Sequence, residues 1–234
     1  IMLYNTLLNS LSHELRTPIS TIIGAVDTLK STPSRLSSNN KEDLLSEISI
    51  ASIRLNRQVD NLLNMSRLES GFIKPQLDWC DMNELTHKVI QDFEDESSQH
   101  TIVVDSDESL PFFKLDPGLM EQVLKNILHN AIQYTPAGSI IKINIGHSAS
   151  NFILTISDNG PGFPEDKLGR VFEKFYRMPR SVTGGTGLGL SIVKGFVEAH
   201  QGKVSLENNN KGHGAIFRIT IPAEVSHLNV IENE

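Results

Sequence analysis

The run Ser12-His13-Glu14-Leu15-Arg16-Thr17-Pro18 decides how the chain reads. Around it Leu8, Leu11, Leu15, Pro18, Ile22, Ala25 and Leu29 recur at alternating spacings of three and four, the seam of a helical bundle or coiled coil. With Leu8 and Leu15 at heptad position a, His13 falls at f and points away from the seam. Thr17 lies one turn further on the same face. Glu14 is rotated by about 100° from His13 and reaches the imidazole only by extending round the helix. Pro18 cannot donate to the carbonyl of Glu14, which predicts a kink just past the histidine. Near neutral pH an exposed imidazole is largely neutral and offers a free ring nitrogen to an electrophile. A carboxylate on its other N–H makes it more nucleophilic.

Working outward, Thr32-Pro33-Ser34 through Asn40 reads as a polar connector of helix-breaking composition. A second helix follows, with Leu45, Ile48, Ser52, Leu55, Val59 and Leu62 on one face and a stop near Gly71. Two such helices form a hairpin whose apolar stripe is only half covered. Pairing two hairpins into a four-helix bundle buries it, so a homodimer through residues 1–72 is expected.

From Lys74 the pattern turns to mixed strands and helices. Lys74–Trp79 reads as a short edge strand, Met82–Glu96 as a helix and Thr101–Asp105 as a strand. Asp116-Pro117 is a helix start, an N-cap acid followed by proline, for a helix running to about Tyr134. Ser139–Ile145 and Phe152–Ser157 alternate as paired strands, Leu188–Glu198 is helical, and Lys203–Glu207 and Ala215–Ile221 close the domain as strands. Strands with helices on one face predict an α+β sandwich. The stretch Glu224–Glu234 is polar and expected to be loose.

The 234 residues suffice for one large domain or two modest ones, and 38% hydrophobic with 21% charged residues is ordinary for a globular protein. A net charge of −7 argues against nucleic acid as partner. The single Cys80 excludes an internal disulfide and fits a reducing compartment. No apolar run approaches the roughly 18–20 residues of a membrane span, and no signal-peptide pattern is present.

The second half carries a different chemistry. Gln122, Asn126, Asn130 and Gln133 are spaced four, four and three, one amide stripe on one helix. Amide oxygens serve as hard ligands for Mg²⁺, and amide N–H groups hold phosphates. Taken alone, such a stripe is equally well a solvated face. Asp158-Asn159-Gly160-Pro161-Gly162 follows a strand, where an acid can accept from an adenine amino group and glycines allow close approach of a ligand. Gly184-Gly185-Thr186-Gly187-Leu188-Gly189-Leu190 opens a helix, the chemistry of an anion site. No Gly-Lys-Ser/Thr follows, so it is not a Walker loop. Between them, Phe172 and Phe175 could anchor a mobile segment, and Lys174, Arg177 and Arg180 could neutralise polyphosphate. A nucleophile in one half and a phosphate cradle in the other point to phosphoryl transfer to the histidine.

Ser12–Pro18 resembles the H-box of the sensor histidine kinases of two-component systems. The later motifs resemble that family's N-box (Asn126 to Tyr134), G1 box (Asp158 to Gly162), F-box (Phe172 to Arg177) and G2 box (Gly185 to Gly189), in the family's order. The resemblance covers about Leu7 to Pro222. Within the family, Asn61–Gly71 and Gly195–His200 look most like the KdpD potassium/osmotic sensor kinases. The resemblance implies an all-α helical hairpin forming a dimeric four-helix bundle, residues 1–72, for dimerisation and histidine phosphotransfer. It implies an α+β Bergerat ATP-binding sandwich over 73–225, then a tail, 226–234. It makes His13 the phospho-acceptor, Glu14 its general base and Thr17 the residue that orients water for dephosphorylating the partner. It implies ATP and Mg²⁺ as cofactors. Asn130 would bind Mg²⁺ and Asn126 would assist at the phosphates, with Gln133, Tyr134, Gly160 and Gly162 lining the nucleotide site. Asp158 would read adenine, and Lys174 and Arg177 would meet phosphate. Gly185, Thr186, Gly187, Leu188 and Gly189 would hold the phosphate chain under a lid, Phe163–Thr183. The partner implied is the receiver domain of a response regulator, and the place a cytoplasmic portion of a bacterial sensor whose membrane region lies in a missing N-terminal part.

Two positions depart from the family. Gln133 stands where a phosphate-contacting lysine is usual, and Gly212-His213-Gly214-Ala215 resembles a G3 box with alanine where serine or threonine is common. A nucleotide-binding scaffold with weak or no kinase activity is therefore a competing reading. An ATPase clamp of the Hsp90, gyrase or MutL type shares the sandwich, but has no use for the H-box histidine.

Overall fold

The computed structural model describes residues 2–31, 36–71, 73–94, 96–107, 109–178, 186–209 and 213–226, without the side chains of 2–11 and 13. Two long helices come first, α1 (Met2–Ser31) and α2 (Ser38–Glu69), packed as a hairpin. Helix α1 continues through Pro18, which is buried on the seam with Ala25, while Leu15, Ile22 and Leu29 are half-buried. Helix α2 begins inside the expected connector, because the Ser37 side chain caps it by accepting from the Asn40 N–H at 3.2 Å. It ends as expected: Gly71 takes φ +67°, and its N–H returns to the Leu68 carbonyl.

The face of α2 differs from the expected one. Ala51, Gln58 and Met65 are buried with Ile48 and Leu55 beside them, whereas Leu45, Val59 and Leu62 are exposed. Periodicity marked a wide apolar stripe. Only half of it turns toward α1, and the other half, with Ile19 and Ile23 of α1, is left uncovered within the chain.

The remainder is a layered α/β unit. Strand β1 (Asp78–Cys80) pairs with β3 (Phe113–Leu115) as a small antiparallel sheet. The expected strand Lys74–Trp79 is therefore shifted toward its C-terminal end, and β3 escaped the sequence reading, since three-residue strands carry no period. Helix α3 (Met82–Asp92) stops short of Glu96 because Phe93, at φ −106° and 4% exposed, turns into the core.

The main sheet runs β2-β4-β5-β7-β6, formed by β2 (Thr101–Ser106), β4 (Ile140–Ser148), β5 (Asn151–Asp158), β6 (Lys203–Asn208) and β7 (Ala215–Pro222). Strand β2 lies parallel to β4, and the other pairs are antiparallel. Ile141, Ile143, Ile145, Phe152, Leu154, Ile156, Phe217, Ile219 and Ile221 point to one face and are buried under α4 (Pro117–Tyr134) and α5 (Gly189–Ala199). Helix α4 has the expected cap: Asp116 Oδ1 accepts from the Leu119 N–H at 3.0 Å, and its Oδ2 accepts from the Gln76 N–H at 2.7 Å.

His200 pins the end of α5 to that cap. Its Nε2 accepts from the Asp116 N–H at 3.1 Å, which leaves Nδ1 to donate to the Phe196 carbonyl at 2.8 Å. Glu224 to Ser226, expected to be loose, are held on β3: Lys114 N–H donates to the Glu224 carbonyl and Ser226 N–H to that of Phe112. Residues 227–234 lie outside the described residues.

Candidate active site

Helix α4 sets the site because it is amphipathic in two senses. Met120, Val123, Leu124, Ile127, Leu128 and Ala131 sink into the core, which leaves Gln122, Asn126, Asn130 and Gln133 as a half-buried amide stripe on the open side. Asn126 Nδ2 donates to the Gln122 carbonyl at 2.8 Å, so its Oδ1 is turned toward Gly189, where an added Cβ would sit 2.9 Å from it. Helix α5 therefore opens directly against the amide stripe. Its first turn is uncapped by any side chain, unlike α2, α3 and α4. Bare N–H groups at a helix start favour an anion.

A cavity of about 630 Å³ lies beyond, walled by Asn130, Gln133, Tyr134, Asp158, Gly162 and Phe217 among others. Asp158 ends β5 there. Its Oδ1 accepts from the Gly160 N–H at 2.8 Å and the Ala215 N–H at 3.3 Å, leaving Oδ2 for a ligand's amino group. Burial pushes the carboxyl above its ordinary value, and those two backbone bonds pull it part of the way back. Ala215 thus serves the site through its backbone. Gly162, at φ +69°, lets the chain turn tightly past Asn208, whose Oδ1 accepts from the Phe163 N–H.

A second cavity of about 710 Å³ adjoins the first through Asn130, Gln133, Tyr134 and Phe163. One wall is α4 with Asn126 and His129. Another is the segment with Tyr176 and Arg177 together with the start of α5, with Thr186, Gly187 and Gly189. The third is α2 itself, with Ile50, Ile53, Arg54, Arg57, Gln58 and Asn61. Gly187 sits at φ +67° where a Cβ would meet Phe175 and Tyr176 backbone at 2.8 Å, so the chain at 175–176 packs directly on the start of α5. Phe172 and Phe175 pack against the core and anchor the segment. Leu188 is wholly buried and faces the core rather than either cavity.

Among the described residues, three ion pairs hold this unit on the hairpin. Arg177 Nη1 lies 3.0 Å from Glu14 Oε1, Lys174 Nζ 3.1 Å from Glu69 Oε1, and Arg57 Nη2 2.7 Å from Glu96 Oε1. Lys174 therefore points to the end of α2 and lines neither cavity, whereas Arg177 lines the second one and reaches the H-box. Leu68 of α2 packs onto Gly195 of α5, where an added Cβ would come 2.7 Å from its Cδ1. Thr17 is exposed on α1. His13 belongs to α1, but its side chain is outside the described atoms, as are Gly184, Gly185, Arg180 and Gly212 altogether. The α2 residues and the Leu68–Gly195 contact were missed in the sequence. They read there as ordinary surface and core of a helix, and only the docking of distant segments gives them a role.

Among the described residues no group of three or more His, Cys, Asp or Glu converges on a metal position. The amide oxygens of Asn126 and Asn130 could hold a hard dication such as Mg²⁺, with phosphate and water completing its shell.

Residues 4–71 match the His Kinase A (phospho-acceptor) domain, and residues 115–225 match the histidine kinase-, DNA gyrase B- and HSP90-like ATPase family. The chain is 34% identical over 226 residues to a sensor protein KdpD of Clostridium acetobutylicum and 34% over 223 to that of Escherichia coli K12. Each alignment covers 95% of this chain and 25% of the relative, so the chain spans about a quarter of these proteins. Among solved structures, Acinetobacter baumannii histidine kinase AdeS superposes with TM-score 0.65 at 30% identity, covering 90% of this chain and 97% of that one. Histidine kinase ThkA in complex with response regulator protein TrrA gives 0.64 at 26%, covering 91% and 60%. The chain belongs to the sensor histidine kinases and is similar to KdpD.

Proposed function

We propose that this chain binds ATP with Mg²⁺ and transfers the γ-phosphoryl group to His13, from which it passes to an aspartate of a response regulator. The observation that carries this reading is the 3.0 Å pair between Arg177 and Glu14. It joins the wall of the nucleotide cavity to the residue next to His13. Adenine fits the 630 Å³ cavity against Asp158 Oδ2, and the phosphates then run along Asn130 and Asn126 toward the uncapped start of α5. Mg²⁺ held by Asn130 would neutralise phosphate charge. Glu14 takes the proton from one ring nitrogen of His13 while the other attacks phosphorus. The bond from Pγ to the bridging oxygen breaks, and ADP leaves with the electron pair.

The ThkA–TrrA complex supports a receiver domain as partner, and Thr17 supports water-directed dephosphorylation of it. Ile19, Ile23, Leu45, Val59 and Leu62, exposed on the hairpin, support a homodimer through residues 1–72. No helix among the described residues is long and apolar enough to cross a membrane. In the test, His13→Gln abolishes acid-labile phosphoprotein formed from labelled ATP and Mg²⁺ while nucleotide affinity holds. Persistent labelling would mean another acceptor, and an unlabelled parent chain would leave only the scaffold reading.

A further inference from the structure

The second cavity has an unusual charge distribution. A nucleotide triphosphate brings several negative charges to it, yet among the described residues its catalytic wall supplies one cation, Arg177, already paired with Glu14. On the α2 wall Arg57 is paired with Glu96 at 2.7 Å and lies over the Phe93 ring. Arg54 also lines the cavity, and it makes no ion pair among the described residues. Its charge is felt across the gap, since His129 of α4 is held neutral by burial and then by Arg57 and Arg54. One turn on from Arg54, Gln58 is 7% exposed, lines the same cavity, and its Oε1 has no hydrogen-bond partner. A buried, unpartnered polar atom beside an unpaired cation marks a wall made for a polar guest. Arg54, Gln58 and Asn61, at i, i+4 and i+7, thus face the amide stripe of α4 across the cavity.

We propose that Arg54, on the acceptor helix pair rather than the ATP-binding unit, contacts the γ-phosphoryl oxygens and neutralises them as the group passes to His13. This rests on the kinase reading above. The step itself is unchanged: N–P forms, Pγ–O breaks, and ADP departs. Arg54 supplies charge only when the two units are docked, so it acts on transfer and not on nucleotide capture.

The experiment uses the 234-residue chain with Arg54→Gln, Arg54→Lys, Gln133→Lys and the Arg54→Gln/Gln133→Lys pair. Phosphohistidine formation is followed at saturating ATP–Mg²⁺, and nucleotide affinity by calorimetry. Arg54→Gln should slow labelling by about tenfold or more, as expected for removal of a cation from a phosphoryl-transfer site, with affinity within about twofold of the parent. Arg54→Lys should keep most of the rate. Gln133→Lys, which places a cation on the opposite wall of the same cavity, should tighten ATP binding alone and recover rate in the double variant. Labelling by Arg54→Gln as fast as the parent overturns the proposal, as does a loss of rate matched by an equal loss of affinity, or no recovery in the double variant. A parent chain that makes no phosphohistidine removes the kinase reading and this one together. A labelled parent with an unaffected Arg54→Gln removes this one alone.

Discussion

Asp158 shows how one carboxylate divides its work. Two backbone N–H groups occupy Oδ1, so the side chain is aimed before any ligand arrives, and Oδ2 is the atom left to receive an amino group. Burial raises its pKa. A carboxyl whose folded pKa lies above its unfolded value stabilises the fold below the unfolded value and loses that contribution as pH rises through the folded one. At pH 7 the ionised group is therefore a cost to the fold. Asp158→Asn keeps an oxygen for the two N–H groups but turns an NH₂ toward the amino group of adenine. We expect the variant to melt at a higher temperature than the parent at pH 7, with the gap closing as pH falls toward 4. Its ATP affinity should drop by about 10- to 100-fold, the cost of facing two donors. Thermal scans at several pH values and calorimetry check both halves. The position of Asp158 was legible from an acid at a strand end before two glycines. Its use of Ala215 was not, because that bond spans 57 residues of sequence.

At the scale of elements, legibility followed locality. Helix α4 announced itself through Asp116, Pro117 and its apolar period, all within one segment, and the structure has it from Pro117 to Tyr134. Strands β1 and β3 are placed by pairing with each other across some 35 residues, so the edge strand expected at Lys74–Trp79 came out shifted and β3 gave no signal of its own. The buried side of α2 depends on where α1 lies, and a 3.6-residue period marks a stripe without saying which edge is used. The Leu68–Gly195 contact belongs here too. A mid-helix glycine costs about 1 kcal/mol against alanine, and Gly195 stands mid-helix because Leu68 occupies the space of a Cβ. Gly195→Ala should leave the ATP-binding unit as stable or more so, while loosening its hold on α2. Limited proteolysis near residue 72 should quicken, and Leu68→Ala in the same chain should reverse it. Unchanged cleavage in Gly195→Ala would show that Leu68 simply moves aside.

At the scale of the whole molecule, the two units meet, among the described residues, through three ion pairs, each between partly exposed groups. Such pairs contribute about 0–1 kcal/mol each and are screened by salt. Docking held this way is reversible. His129 adds a pH dependence. Its pKa is driven down to about 3 by burial and then by Arg57 and Arg54, and the arginine share exists only while α2 is docked. A histidine depressed further by docking supports the docked state above its undocked value, itself no higher than the ordinary value of about 6.5, and withdraws that support as pH falls through that undocked value toward 3. Small-angle scattering should therefore show a larger radius of gyration at about pH 5.5 than at 7.5, and at high salt than at low. His129→Asn should remove the pH effect and keep the salt effect. An unchanged radius across both series would mean that apolar packing, with Leu68 at its centre, holds the units alone.

The Arg177–Glu14 pair has one more consequence. If the reaction proposed above holds, Arg177 has two anions to choose between, the Glu14 carboxylate in the empty site and the γ-phosphate once the donor is bound. Drawn to the phosphate, it would let go of the carboxylate next to His13, whereas ADP, which has no such group, would leave the pair standing. The contact that docks the two units would then also report which nucleotide is present.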